Sequence, residues 1–212
     1  MSSGPQLHVV PGAAPGSGSA PAPAALADRP DEDLMVASAA GHRDAFEILV
    51  TRYLPRLTSY CAKLTRDPRA AEELAQDTLL ALWQGRAGYR PERAFRVLAF
   101  TVALNRCRNQ ARSWRRRLRW LGLADDSARL DEVPGGEPGH VDQVLERERQ
   151  RRVRAGLARL PRASREVLLL RFEQELSYAE IAQIIGKREV TVRSQVFHAL
   201  RKLQVELDQE IA

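Results

Sequence analysis

Cysteine is almost missing from this chain: Cys61 and Cys107 are its two examples in 212 residues. Two thiols cannot build a disulfide scaffold or a four-ligand zinc site. Histidine is scarce too. His8, His42, His140 and His198 lie far apart, and no metal-ligand spacing, Ser-His-Asp order or glycine-rich phosphate loop accompanies them. Catalysis therefore finds no foothold, and neither a metal nor a cofactor is expected. Aromatics make up only 6% of the chain, so its core must rest on Leu, Val, Ala and Ile. A run of 18 apolar residues is lacking, which excludes a membrane-spanning helix. The N-terminus has neither the basic flank nor the apolar stretch of a secretory signal. A cytosolic, reducing address is the expectation. Lysine is reduced to Lys63, Lys187 and Lys202, so the base excess behind a net charge of +6 is almost all arginine.

The charge that is present is unevenly placed. Residues 111–120 hold five Arg and no acid, whereas residues 121–142 hold six acids and one Arg. A basic block beside an acidic one suggests two modules with a polar tether. Residues 1–30, rich in Pro, Ala, Gly and Ser, bury too little apolar surface to offset ordering entropy and are expected to be a disordered tail. Residues 120–141, with Pro134-Gly135-Gly136 and Pro138-Gly139, are expected to be a flexible acidic linker. Modules are expected over 31–119 and 142–212. No sustained period-two alternation occurs in either, so the predicted fold class is all-α, two small helical domains.

In the first module, Phe46, Leu49, Val50, Tyr53, Leu57, Tyr60 and Leu64 follow helical spacing, with Pro55 expected to kink the helix. Asp67-Pro68 restarts it as N-cap and first helical residue. The helix to about Trp83 sets Ala71, Leu74, Thr78 and Leu82 on one face and Glu72, Glu73, Gln76 and Asp77 on the other. A further helix, from about Ala94 to Leu118, is apolar first and basic later. Trp114 and Trp120 interleave with its arginines, as in stacking platforms for nucleic acid, although a solvated helix end would look the same. Cys61 and Cys107 fall on apolar-leaning helical segments, as packed thiols do.

In the second module, Ser177 and Glu180 form a capping box before a short helix that stops at Gly186. The last helix has a predicted buried stripe at Val192, Val196, Leu200 and Leu203, leaving Arg193, Ser194, Phe197, His198 and Arg201 directed elsewhere. Two short helices joined by a glycine turn, the second with polar residues off its stripe, make a helix-turn-helix suited to the major groove. A helical hairpin with a solvated face shares these features.

The pieces in their order resemble a family. Asp67-Pro68, Ala71 to Thr78 and Leu82-Trp83 are similar to one helix, and Phe95-Arg96 and Phe100 to Asn105 to the next, of sigma-70 family RNA polymerase sigma factors in the small extracytoplasmic-function (ECF) subfamily. Leu160-Pro161, Arg165 to Phe172, Leu176 to Ala182 and Thr191 to Ser194 are similar to that family's upstream-element reader. The resemblance covers about residues 33–119 and 145–205. It implies a sigma factor, not an enzyme, that binds core RNA polymerase at its beta-prime clamp and beta flap. It further implies binding of duplex promoter DNA and of single-stranded minus-10 DNA, with control by an anti-sigma factor and no direct membrane insertion. Polymerase binding is carried over to Glu72, Glu73, Gln76, Asp77, Leu80 and Trp83. Minus-10 recognition goes to Tyr89, Arg96, Asn105, Arg108, Arg112, Arg115 and Arg116. Minus-35 recognition goes to Ser177, Tyr178, Arg193, Ser194, Gln195, Phe197, His198 and Arg201. A dimeric LuxR-type regulator would share the second module but would need a ligand or receiver domain in the first. An RNA-binding helical adaptor would rest on the arginine cluster alone.

Overall fold

Helices account for all the regular secondary structure among the described residues, which are 26–120 and 141–209 of a computed structural model. The first module contains α1 (Asp31–Ala39), α2 (Arg43–Thr65), α3 (Pro68–Gln84) and α4 (Phe95–Trp120), with a single 3-10 turn at Arg86–Gly88. The second contains α5 (Val141–Arg159), α6 (Arg162–Leu168), a π-helical turn at Leu169–Glu173, α7 (Tyr178–Ile185) and α8 (Glu189–Gln209).

α2 is the axis of the first module. Leu49, Tyr53, Leu57, Tyr60, Cys61 and Leu64 recur at helical spacing and are all buried, against α3 on one side and α1 and α4 on the others. The helix runs through Pro55 as one element. The proline removes one N–H, and the carbonyl it would have served belongs to exposed Thr51, where water is available. Arg66 closes α2 in the left-handed region (φ 62°) and its N–H returns to the Ala62 carbonyl at 2.8 Å. Asp67 then caps α3 by accepting from the Ala70 N–H at 3.1 Å, with Pro68 first in the helix. The cap of α4 comes from elsewhere in the chain. Glu32 of α1 accepts the Phe95 N–H at 2.9 Å, so an acid meets the positive end of the long basic helix.

Residues 26–30, expected within the tail, are packed on the first module. Leu26 is buried in the core, and Arg52 of α2 donates to the carbonyls of Ala27 and Arg29 and pairs with Asp31. A single leucine and three carbonyl or carboxylate partners are enough to anchor residues that look featureless by composition. The expected tail up to residue 25 and most of the expected linker, 121–140, lie outside the described residues.

In the second module, the capping box at α7 is complete. Ser177 Oγ accepts from the Glu180 N–H at 3.2 Å, and Glu180 Oε2 accepts from the Ser177 N–H at 3.0 Å. Gly186 ends α7 with φ 69°, a backbone conformation that favours glycine. Val167, Leu168, Leu169, Leu170, Leu176, Ile181 and Val192 are the buried centre. At the far end, α5 lies on α8 at Gly156, where an added Cβ would stand 3.0 Å from Leu203 Cδ1, so the glycine permits the close approach.

Candidate nucleic-acid interface

The last helix divides into two faces. Val192, Val196 and Ala199 are buried, whereas Arg193, Ser194, Phe197, His198 and Arg201 are exposed and Gln195 is half-buried. The stripe differs from the expected one: Leu200 is 40% exposed and Ala199 turns inward. Seven residues from Val192 is close to two full turns, while eight overshoots by roughly a quarter turn. The outward face thus offers cations, a hydroxyl, an amide and an imidazole, the groups that address phosphates and base edges in a major groove.

Arg193 is held ready rather than loose. It pairs with Glu189 at 2.7 Å, and its guanidinium lies 4.9 Å from the centre of the Tyr178 ring. Arg171 stacks on the same ring, also at 4.9 Å. Tyr178 therefore positions two cations. Ser177, the other predicted contact on α7, spends its hydroxyl on the helix cap. Releasing Arg193 from an exposed i,i+4 pair costs only about 0.3–0.5 kcal/mol, little beside a base contact.

On the first module, Asn105, Arg112, Arg115 and Arg116 all project from α4 into solvent, with exposed Trp114 and Trp120 among them. Arg112 donates to the Asn109 side-chain oxygen at 2.7 Å. Tyr89 sits in the preceding loop as a packed aromatic. Its hydroxyl donates to the Arg93 carbonyl at 2.9 Å, and its ring meets Phe95 edge-on at 6.5 Å. Burial, with help from Glu32, Asp31 and Glu92, pushes that hydroxyl up to about 12, so it stays a proton donor at neutral pH.

The acidic strip on α3 is narrower than expected. Glu72, Glu73, Gln76 and Leu80 form an exposed row. Asp77 instead pairs with Arg106 of α4 at 3.1 Å. Trp83 turns partly inward, its ring 5.1 Å from that of Phe46 and covered by the Arg86 guanidinium at 3.8 Å. Helical geometry explains both: Asp77 and Trp83 flank the buried stripe Leu74, Thr78 and Leu82, so they fall at its edges rather than opposite it.

Sequence spacing missed a seam between the modules, where α7 packs on α4 and α6 on α2. Its polarity is consistent. Arg96 pairs with Glu180, Arg108 with Glu166 at 2.6 Å, and Lys63 with Glu173 at 2.8 Å. Arg56 donates to the Gln174 side chain at 3.1 Å. The first module supplies the cations and the second the acceptors. Arg96 and Arg108, both expected at minus-10 DNA, are thus engaged by carboxylates. Burial alone would raise the Glu180 carboxyl, but hydrogen bonds from Ser177 and the charge of Arg96 outweigh it and hold the group below its ordinary value.

One cation runs the other way. Arg165 of α6 is buried and donates to four carbonyls: Leu157, Ala158 and Leu160 at the end of α5, and Leu64 at the end of α2, at 2.9–3.1 Å. A guanidinium among helix C-terminal carbonyls is well placed electrostatically. Desolvation, with Arg66 and Arg162 nearby, lowers it to about 10, which still leaves it charged at neutral pH. In the sequence Arg165 and Glu166 stand just before the apolar run Val167 to Leu170, after Arg162 and Ser164, so nothing local marks Arg165 as the buried cation.

Among the described residues no cluster of His, Cys, Asp or Glu is suited to a metal ion, and no helix is long and apolar enough to cross a membrane. A helix-turn-helix with an outward polar face, joined to a helical module ending in an arginine-rich helix, is the architecture of a DNA-binding protein. Comparison with known proteins narrows the class. Residues 49–117 match the family description "Sigma-70 region 2" and residues 150–203 match "Sigma-70, region 4". The chain is 31% identical to the RNA polymerase sigma factor CnrH of Cupriavidus metallidurans, over 84% of this chain and 94% of that protein. It is 29% identical to the ECF RNA polymerase sigma factor RpoE of Cereibacter sphaeroides, over 84% and 95%. A solved structure of CnrH in complex with the cytosolic domain of CnrY superimposes with a TM-score of 0.63 at 25% identity, covering 84% of this chain and 97% of that one. The chain belongs to the sigma-70 family, in its ECF subfamily: it is a sigma factor, which directs promoter-specific transcription initiation. The regulator and RNA-adaptor alternatives fall with the match of residues 49–117 to region 2.

Proposed function

We propose that residues 31–119 and 142–212 act as two promoter-engaging units of this sigma factor, each through an exposed face that its fold leaves free. The observation that carries this reading is the sorting of α8 into a buried Val192/Val196/Ala199 stripe and an outward Arg193/Ser194/Phe197/His198/Arg201 face. α8 reads the minus-35 element in the major groove, with Gln195 at the edge of the contact and Tyr178 steering Arg193. The α4 surface around Asn105, Arg112, Arg115 and Arg116 holds minus-10 DNA, with Arg96 and Arg108 joining once their carboxylate partners let go. Tyr89 and Asn105 take one unstacked base; flipping it costs a few kcal/mol, on the order of what stacking and edge hydrogen bonds return. Glu72, Glu73, Gln76 and Leu80 on α3 meet the beta-prime clamp of core polymerase, and the second module meets the beta flap.

Control by an anti-sigma factor is part of the proposal. Its support is the superposition on CnrH, a sigma factor solved with the cytosolic domain of CnrY. The site of action is the cytoplasm. Transcription in vitro tests the whole: the protein, added to core polymerase, should start transcripts at a promoter that core alone ignores. Core polymerase that initiates no new transcript across a genomic promoter library would sink the proposal.

A further inference from the structure

Folding brings the two cysteines together. Cys61 lies near the end of α2 and Cys107 midway along α4, and their Sγ atoms are 3.5 Å apart. Both are free thiols, and both are fully buried. Neither belongs to a Cys-x-x-Cys motif, so spacing does not reveal the pair.

The surroundings are more polar than a packed leucine site. Tyr60 lies beside the pair, its buried hydroxyl without a hydrogen-bond partner among the described residues. That hydroxyl feels the charges of Glu166 and Arg108 as well as both cysteines. Cys107 in turn feels Arg162 and Glu166 of α6. The thiols therefore sit beneath the seam between the modules, under the ion pairs that Glu166 makes with Arg108 and with Arg162 at 3.2 Å.

We propose that Cys61 and Cys107 form an oxidation site, converted by hydrogen peroxide into an intramolecular disulfide that ties α2 to α4 around the intervening α3. Cys107 reacts first. The contact with Cys61 and the nearby Arg162 favour its thiolate and outweigh the opposing effect of burial, whereas the same contact and burial push the Cys61 thiol up. The Cys107 thiolate attacks one peroxide oxygen. The S–O bond forms, the O–O bond breaks, and the leaving hydroxide takes up a proton as water. Cys61 then attacks the Cys107 sulfur as its proton leaves. The S–S bond forms, the S–O bond breaks, and a second water departs. Two thiols lose two electrons and two protons, and one peroxide becomes two waters.

Geometry asks for little beyond access. The sulfurs must close from 3.5 Å to about 2.05 Å, a small relative shift of two helices. The oxidant enters where α6 lifts from the first module, so the seam sets the rate.

The test uses the full chain, freed of reductant and exposed to hydrogen peroxide. Free thiols are then blocked in denaturant, and the protein is read by intact mass and by non-reducing peptide mapping. The expected result is a loss of two hydrogens, protection of both cysteines from the blocking reagent, and one peptide joining Cys61 to Cys107, all reversed by a dithiol reductant. The thermal midpoint of the oxidised chain should rise, because the cross-link restricts the unfolded state. Glu166→Ala should oxidise several-fold faster, and Cys61→Ser should accumulate a Cys107 sulfenic acid that dimedone captures. Two thiols still fully open to blocking, or links formed only between separate chains, would overturn the site. These readings come from the unsubstituted protein, so they stand even if Cys61→Ser fails to fold. An unchanged oxidation rate in Glu166→Ala would overturn the route through the seam.

Discussion

Arg108 of α4 and Glu166 of α6 meet in a two-point contact, Nε to Oε1 at 3.3 Å and Nη2 to Oε2 at 2.6 Å. The acid is 5% exposed and also binds Arg162 Nε at 3.2 Å. A carboxylate that serves two guanidiniums is central to the closed arrangement. It also engages an arginine proposed for promoter DNA. Glu166→Ala should therefore do two opposite things. Unfolding stability should fall by about 1.5–3 kcal/mol, the scale of hydrogen bonds to charged groups. Affinity of the free protein for a single-stranded minus-10 oligonucleotide should rise, because Arg108 is released. Denaturant titration and fluorescence anisotropy measure the two. Lower stability with unchanged DNA affinity would remove Arg108 from the DNA surface.

The seam should also respond to pH. Glu180 has its folded-state pKa lowered, so its contribution is present above the unfolded value and is lost as pH falls through the folded one. Acidification to below the ordinary carboxylate range should separate the modules before the helices melt. Small-angle X-ray scattering against far-ultraviolet circular dichroism distinguishes the steps; simultaneous loss of both signals would contradict it.

Charge reversal on α3 tests the polymerase surface. Glu72→Lys with Glu73→Lys alters two exposed side chains and no buried one. The fold should be unaffected and the complex with core polymerase weakened, with residual binding less sensitive to salt. An unchanged titration of core polymerase would move the contact off this helix.

Arg193→Ala should cost about 1–3 kcal/mol at the preferred minus-35 site and much less on scrambled duplex. Competition binding on the two duplexes gives the ratio. Equal losses on both would make Arg193 a phosphate contact.

Anchoring at Leu26 changes where the chain can be trimmed. A chain beginning at residue 26 should unfold like the full protein. One beginning at Pro30 loses the buried Leu26 and the Ala27 and Arg29 carbonyls that Arg52 holds, and should be less stable by about 1.5–3 kcal/mol. Matched denaturant curves for the two chains would contradict this assignment.

Much of this protein is local and therefore legible in its sequence. The Asp67-Pro68 start of α3, the Ser177/Glu180 capping box and the Gly186 stop are each decided within a few residues, by hydrogen bonds and backbone sterics that neighbours alone satisfy. The all-α class follows from periodicity, and the order of the motifs carries the family. Exposure departs from the expected faces at the edges of stripes. Leu200, Asp77 and Trp83 sit where a rotation of a fraction of a turn decides between core and solvent, and that rotation is set by the packing partner.

What only tertiary structure decided are relationships between residues distant in the chain. Glu32 caps α4 from 63 positions away, and Arg165 reaches the Leu64 carbonyl across 101. The Cys61–Cys107 contact and the Arg108–Glu166 pair are of the same kind. An isolated charge or thiol has no preferred partner along a helix. Its partner is whatever the hydrophobic burial of both helices happens to place within a few ångströms, and that placement belongs to the packed core rather than to any segment of the sequence.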